Sequence, residues 1–212
     1  MKRKVIALSV VAVLAGSTYI LGYSSFFTVS AVEVIGSKRV VNTGIVKGQK
    51  LARVEPRAVA TRLETLSWIE SVDISRNWIN GKVTVELKQR TPIATFKNQV
   101  IDSTGTSFIP QGATPAGLIE IQAGSIQDAT KAVKFFMQLP TELKSSLTVV
   151  KVRVSGAFVL ITENSGKKLE IRWGTDSENE LKLKVYKALI ALPENAEITR
   201  VDVSAPHAPI VK

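Results

Sequence analysis

Three hydrophobic patterns follow one another along the chain, and their order sets its organisation. After Met1-Lys2-Arg3-Lys4 no charge appears until Glu33, and the strongly apolar part of this run covers residues 5–27. As a helix rising about 1.5 Å per residue, that stretch crosses a hydrocarbon core about 30 Å thick. From Val29 the period shortens to two, with Val29, Ala31, Glu33 and Ile35 alternating with Ser30, Val32 and Val34 in a strand that stops at Gly36. A short helix is predicted near residues 42–47. A second begins at Pro56, a residue suited to a first helical turn, and sets Val59, Leu63 and Leu66 on one stripe. Alternating Val72 and Ile74, then Val83, Val85 and Leu87, predict two strands, with Asn80-Gly81 as a two-residue hairpin between them. The result is a β-α-α-β-β unit over residues 28–92.

Residues 93–212 predict a second, mostly antiparallel β domain with two flanking helices, so the whole chain is of the α+β class. Val100 to Phe108 reads as strand, Asp/Gly turn and returning strand, and Leu118 to Ile121 as a short strand. Ser125 with Asp128 resembles a capping box ahead of a helix whose stripe is Ala129, Val133 and Phe136, ended by Pro140. Three strands then carry Val150, Val152 and Val154, Phe158 and Leu160, and Leu169, Ile171 and Trp173. Turns at Ser155-Gly156 and Asn164-Ser165-Gly166 make them a meander. Ser177 to Glu180 caps a last helix with Leu181, Val185, Ala188 and Leu192 inward. A final strand holds Ile198, Thr199, Arg200, Val201, Asp202, Val203 and Ser204.

Composition removes most chemistry. With no cysteine and one histidine there is no disulfide, thiolate metal site or cysteine nucleophile, and no second imidazole for a metal. His207 stands between Pro206 and Pro209, with little around it to orient a catalytic imidazole. Helix caps and turns account for Glu178, Glu180 and Asp102, no spacing singles out a Ser/Lys dyad, and phosphate loops and dinucleotide fingerprints are missing. Neither an enzyme nor a cofactor is expected. The net charge of +10 and the sequence pI near 9.9 suit an anionic neighbour. The cations before the apolar run keep residues 1–4 cytoplasmic, as a short tail, and Tyr19, Tyr23, Phe26 and Phe27 fit an outer aromatic belt. Everything beyond is then extracytoplasmic, which disfavours nucleic acid and leaves the membrane and anionic cell-wall polymers. A cleaved signal peptide ending near Ala15-Gly16-Ser17 is the alternative, but the apolar run continues past that point.

Several segments carry a resemblance. Val32-Glu33-Val34-Ile35-Gly36 resembles the opening strand of a POTRA domain. Leu66-Ser67-Trp68-Ile69-Glu70-Ser71-Val72 resembles the helix-to-strand crossing of bacterial division proteins of the FtsQ/DivIB family. Val83 to Leu87 running into Arg90 to Ala94, the hairpin from Val100 to Phe108, Lys168 to Gly174 and Val201-Asp202-Val203 are similar to later parts of the same family. Glu55 before Pro56 departs from the commoner Ser or Asp cap. The likeness spans nearly the whole chain. It implies a single-pass, type II membrane scaffold at the division septum that recruits FtsL-type and FtsB/DivIC-type proteins and so influences septal peptidoglycan synthesis. The rivals are a POTRA-containing adaptor in translocation or envelope assembly and a membrane-anchored wall enzyme.

The candidate partner-binding residues are Ile198 to Ser204 and Lys184. As the last strand, residues 198–204 read either as an edge that accepts a partner strand or as an edge blunted by Arg200, Pro206 and Pro209. The resemblance favours the first, because it implies that this strand and the last helix dock FtsB/DivIC. Lys182, Lys184 and Lys187 read either as partners for acidic residues or wall polymers, or as a solvated face near the negative end of the helix. Trp68 and Trp173 are expected in the core and Trp78 at the surface.

Overall fold

The computed structural model describes residues 6, 9–16, 19, 27–164 and 166–212. Residues 9–16 are helical, and among the described residues no helix is long and apolar enough to cross a membrane. The anchor expected over 5–27 and the tail over 1–4 lie largely outside them. The chain divides into two compact units, Met1–Arg90 and Thr91–Lys212.

In the first unit β1 (Ala31–Ile35), β2 (Ile69–Arg76) and β3 (Lys82–Gln89) form a sheet of order β1-β3-β2. β3 lies parallel to β1 and antiparallel to β2. Its alternate residues Val83, Val85 and Leu87 are buried with Leu51, Val54, Leu63, Trp68 and Ile69. β1 stops where Gly36 turns to φ +87°, a position that takes glycine because a Cβ there would stand 1.9 Å from the Leu87 carbonyl oxygen.

The helix expected near 42–47 does not form. The Asn42 side chain accepts from the Gly44 N–H and the Thr43 hydroxyl from the Ile45 N–H. Such local bonds compete with helical ones, and Gly44 and Gly48 both sit at positive φ. A 3₁₀ turn, Leu51–Arg53, stands in its place, and the Arg76 guanidinium holds the Leu51 and Val54 carbonyls at 3.1 and 2.8 Å. The helix that does form, α1 (Pro56–Glu64), has Pro at its start and no side-chain cap from Glu55. It buries Leu63 but ends before Leu66, which is exposed. The β2–β3 connection is also longer than two residues. Asn77 pairs with Lys82, the Gly81 N–H donates to the Asn77 carbonyl at 2.9 Å, and the Asn77 side chain accepts from Ile79 and Asn80. Trp78 and Ile79 thereby form its tip.

Among the described residues of the second unit, nine strands share one sheet. They are β4 (Pro92–Phe96), β5 (Gln99–Asp102), β6 (Ser107–Phe108), β7 (Ile119–Gln122), β8 (Leu147–Val152), β9 (Phe158–Asn164), β10 (Lys167–Gly174), β11 (Arg200–Asp202) and β12 (Ile210–Val211). Their order is β12-β11-β10-β9-β8-β7-β4-β5-β6. The ladders are antiparallel except β4–β7, β7–β8 and β10–β11. Parallel neighbours need a crossover, supplied by α2 (Ile126–Gln138) with α3 (Thr141–Ser146) between β7 and β8, and by α4 (Asn179–Ile190) between β10 and β11. β4 and α3 are absent from the sequence reading. Pro92, placed there at the end of the first domain, already pairs with Asp102 in the second.

One core joins the helices to the sheet. Phe135 of α2 stacks on Phe158 at 4.2 Å between centroids and meets the edge of fully buried Trp173 at 6.1 Å. The Ser125 cap forms, accepting the Asp128 N–H at 3.1 Å. Phe135, rather than Phe136, takes the central place on α2; Phe136 is only partly buried. α4 meets its expected face only in part. Val185 packs against the core as expected, but Lys182 and Tyr186 point inward, whereas Ala188, and Leu192 beyond the helix end, are exposed. Ser177 does not cap it: the helix starts at Asn179 after Glu178 in a left-handed conformation.

Candidate partner-binding rim

The segment expected to bind a partner lies one strand in from the end of the nine-stranded sheet, so it is not an open edge. Within Ile198 to Ser204 the strand proper is β11, three residues long, and it has a neighbour on each side. Towards β10 the Glu170 N–H donates to the Thr199 carbonyl and the Val203 N–H to the Arg172 carbonyl, both at 2.9 Å. Towards β12, Val201 stands opposite Val211 and Asp202 opposite Ile210, and Arg200 and Lys212 exchange N–H···O bonds at 3.0 and 2.9 Å. The expectation of a free terminal strand at 198–204 is therefore corrected. The chain turns through Pro206, which is buried, and lays residues 210–212 along the strand. The sequence signal for this was slight: two β-branched residues, Ile210-Val211, after a proline.

The alternation of β11 divides its residues by task. Val201 and Val203 are fully buried on the core side, where Ile198 packs at the margin. Arg200 and Asp202 point to the opposite face and join a charged row with β10. Arg200 Nε lies 2.8 Å and Arg172 Nε 3.2 Å from the same Glu170 oxygen, and Arg172 Nη1 lies 3.8 Å from Asp202. Thr199 and Ser204 are exposed at its two ends, and the Ser204 hydroxyl donates to Asp202 at 2.6 Å. Burial tends to raise the Glu170 carboxyl, but the hydrogen bonds from Arg172 and Arg200 outweigh it and hold the group below its ordinary value of 4.5. A carboxyl lowered by folding stabilises the fold above its unfolded value, and the stabilisation is lost as pH falls through the folded-state value. Acidification below 4.5 is thus expected to loosen β11 from β10. The amide protection factors of Val201 and Val203, taken relative to the intrinsic exchange rate at each pH, should fall in that range. Glu170→Gln should show lower protection at neutral pH and lose that acid-dependent fall.

Antiparallel alternation also fixes what β12 shows outward. Residues 210 and 212 turn their peptide groups to β11, so Val211 turns its N–H and carbonyl away. Pro209, two residues earlier, has the same orientation and no N–H to offer, which shortens the usable rim. Ile210 and Val211 are both exposed.

Lys184 is exposed on α4, and Lys187 beside it, but Lys182 is not on a solvated face. It is 1% exposed, and its ammonium donates to the Thr175 carbonyl at 2.8 Å. Burial pushes this ammonium down, against the pull of Glu178 and Asp176. His207 is exposed, with Glu178 at 4.0 Å. Leu143, Leu169, Tyr186 and Ile198 line an open groove of about 890 Å³ between α3, α4 and the β9–β10 turn, rimmed by Lys168 and Lys187. Among the described residues no group of three or more metal-ligating side chains comes together.

Family models match both units. The model for the FtsQ-type POTRA domain covers residues 27–90, and that for the C-terminal part of cell division protein FtsQ/DivIB covers 93–204. The chain belongs to the FtsQ/DivIB family. It is similar to the cell division protein FtsQ of Corynebacterium glutamicum, with 29% identity over 199 residues, 84% of this chain and 87% of that protein. It is accordingly a cell-division protein with a POTRA domain followed by the family's β domain. The C-terminal match stops at residue 204, short of β12.

Proposed function

We propose that this chain is a single-pass, type II scaffold of the division septum, and that its β12 rim accepts a strand from an FtsB/DivIC-type partner. The orientation of Val211, with peptide groups turned from β11, carries the reading. Strand addition takes affinity from such main-chain groups and selectivity from alternating side chains. Thr199, Arg200 and Asp202 then act by holding β12 in register, Val201 and Val203 by fixing β11 to the core, and Ser204 through its bond to Asp202. Ile198 contributes to the groove beside the rim. Lys184 with Lys168 and Lys187 favours an acidic stretch on the partner, and anionic wall polymers are a further ligand for that surface. The retained apolar segment over 5–27 fixes the protein in the membrane. An FtsL-type protein joins through the same assembly, and the assembly regulates septal peptidoglycan synthesis. The chain acts by position, without turnover or cofactor.

A photo-crosslinking residue at Val211 in growing cells tests this, with Ser107 on the opposite rim as control. An adduct with an FtsB/DivIC-type protein is expected at Val211 and not at Ser107. Adducts at Ser107 alone, or with no division protein, would overturn the assignment.

A further inference from the structure

The point where the chain enters the first unit is built into the β2–β3 hairpin. The Phe27 and Trp78 rings meet edge to face at 6.1 Å, and the Arg76 guanidinium lies 5.3 Å from the Trp78 ring centroid. The Ser30 N–H donates to the Gly81 carbonyl at 2.9 Å, and its hydroxyl to the Asn80 carbonyl at 2.7 Å. On the other side the Leu51 N–H donates to the Phe27 carbonyl at 3.0 Å, and Thr28 bridges Lys50. Residues 27–30 are thus clamped between two loops that cannot leave them without breaking backbone bonds.

What these loops present is unusual for a water-facing surface. Ile79, at the hairpin tip, is 98% exposed, Trp78 beside it is partly exposed, and Val46 on the second loop is exposed too. Lys47, Lys50 and Arg53 follow Val46, and between residues 42 and 53 there is no acid. Glu33, on β1, is paired with Lys82 at 2.8 Å. An aromatic with a polar edge, an apolar tip and surrounding cations is the composition that settles at a lipid headgroup boundary.

We infer that the β2–β3 tip, Trp78 and Ile79, is a second membrane contact that dips into the outer headgroup layer beside the emerging chain. The inference rests on the single-span reading proposed above, since Phe27 closes the apolar run and carries the tip to whatever surface that run occupies. A lipid surface is favoured over a protein because the tip is bonded to the segment that leaves the membrane, and because the cations around it match anionic headgroups. The contact restricts rotation of the unit about its tether, which one helix alone leaves free.

The chain has no cysteine, so one introduced cysteine labels one site. The full chain is reconstituted in phosphatidylcholine–phosphatidylglycerol vesicles with an environment-sensitive fluorophore at Ile79→Cys, at Val13→Cys within the apolar run, or at Val154→Cys, an exposed position of the other unit. Doxyl lipids quench either just below the headgroups or near the chain ends. The expected result is a blue shift and loss of most emission at position 79 with the shallow quencher, loss at 13 with the deep one, and neither at 154. Quenching at 13 with position 79 behaving like 154 would overturn the tip contact alone. Absence of quenching at 13 would remove the span and this inference with it.

Discussion

Replacing Trp173 by alanine is expected to lower the stability of the second unit by about 3–5 kcal/mol, the usual cost of emptying a buried aromatic site. Trp173 is fully buried, packs edge-on to Phe135 and donates from Nε1 to Asn179 Oδ1 at 2.8 Å. Asn179 opens α4 and passes the link on to Asp176 at 2.6 Å. The substitution therefore leaves a cavity and frees the start of the helix that crosses from β10 to β11. Domains of this size have only about 5–15 kcal/mol in total, so the loss is a large share. Urea unfolding followed by circular dichroism should show an earlier transition for the second unit and an unmoved one for the first. Trp173→Phe keeps most of the ring contact and loses the N–H, so it should fall between.

The second large effect concerns binding. Val211→Pro is expected to weaken partner capture about tenfold or more, equivalent to about 1.4 kcal/mol or above, while leaving the unit folded. The Val211 N–H points away from β11, so proline removes no bond inside the sheet, yet it deletes the donor a docking strand would use and puts a ring in its path. Ile210→Pro differs, because residue 210 faces β11; it should loosen β12 itself and quicken exchange at Asp202. Titration of the extracytoplasmic part with an FtsB/DivIC-type segment distinguishes the two. Undiminished affinity in Val211→Pro, with the circular dichroism spectrum intact, would remove strand addition at this rim.

Period-two alternation located the strands well where it ran for several residues, as in Val83-Thr84-Val85-Glu86-Leu87, because one face of β3 is buried and the other is not. It failed where side chains outside the strand decide the outcome. Asn42 and Thr43 drew the backbone into local bonds and no helix followed. Lys182 has the look of a solvated lysine, but its ammonium donates to the Thr175 carbonyl just ahead of the helix, with Glu178 and Asp176 as counter-charges. The rim was partly legible. Val201 and Val203 mark a strand, but two residues with β propensity are too few to announce β12, whose existence depends on β11 being there to receive it. Lys184 is exposed as expected, while its neighbour two residues earlier is not.

The order of strands in the sheet has a consequence for how the molecule is made. β5 and β6, at one end of the ladder, are synthesised early, whereas β11 and β12, at the other, follow α4. Chains grow from the amino terminus at about 5–20 residues per second, and early segments organise first. A nascent or prematurely terminated chain can thus complete its POTRA domain while lacking β12 altogether. Any protein that docks there meets only molecules whose ladder has already been laid down as far as β11, so attachment at that end follows the folding of the sheet.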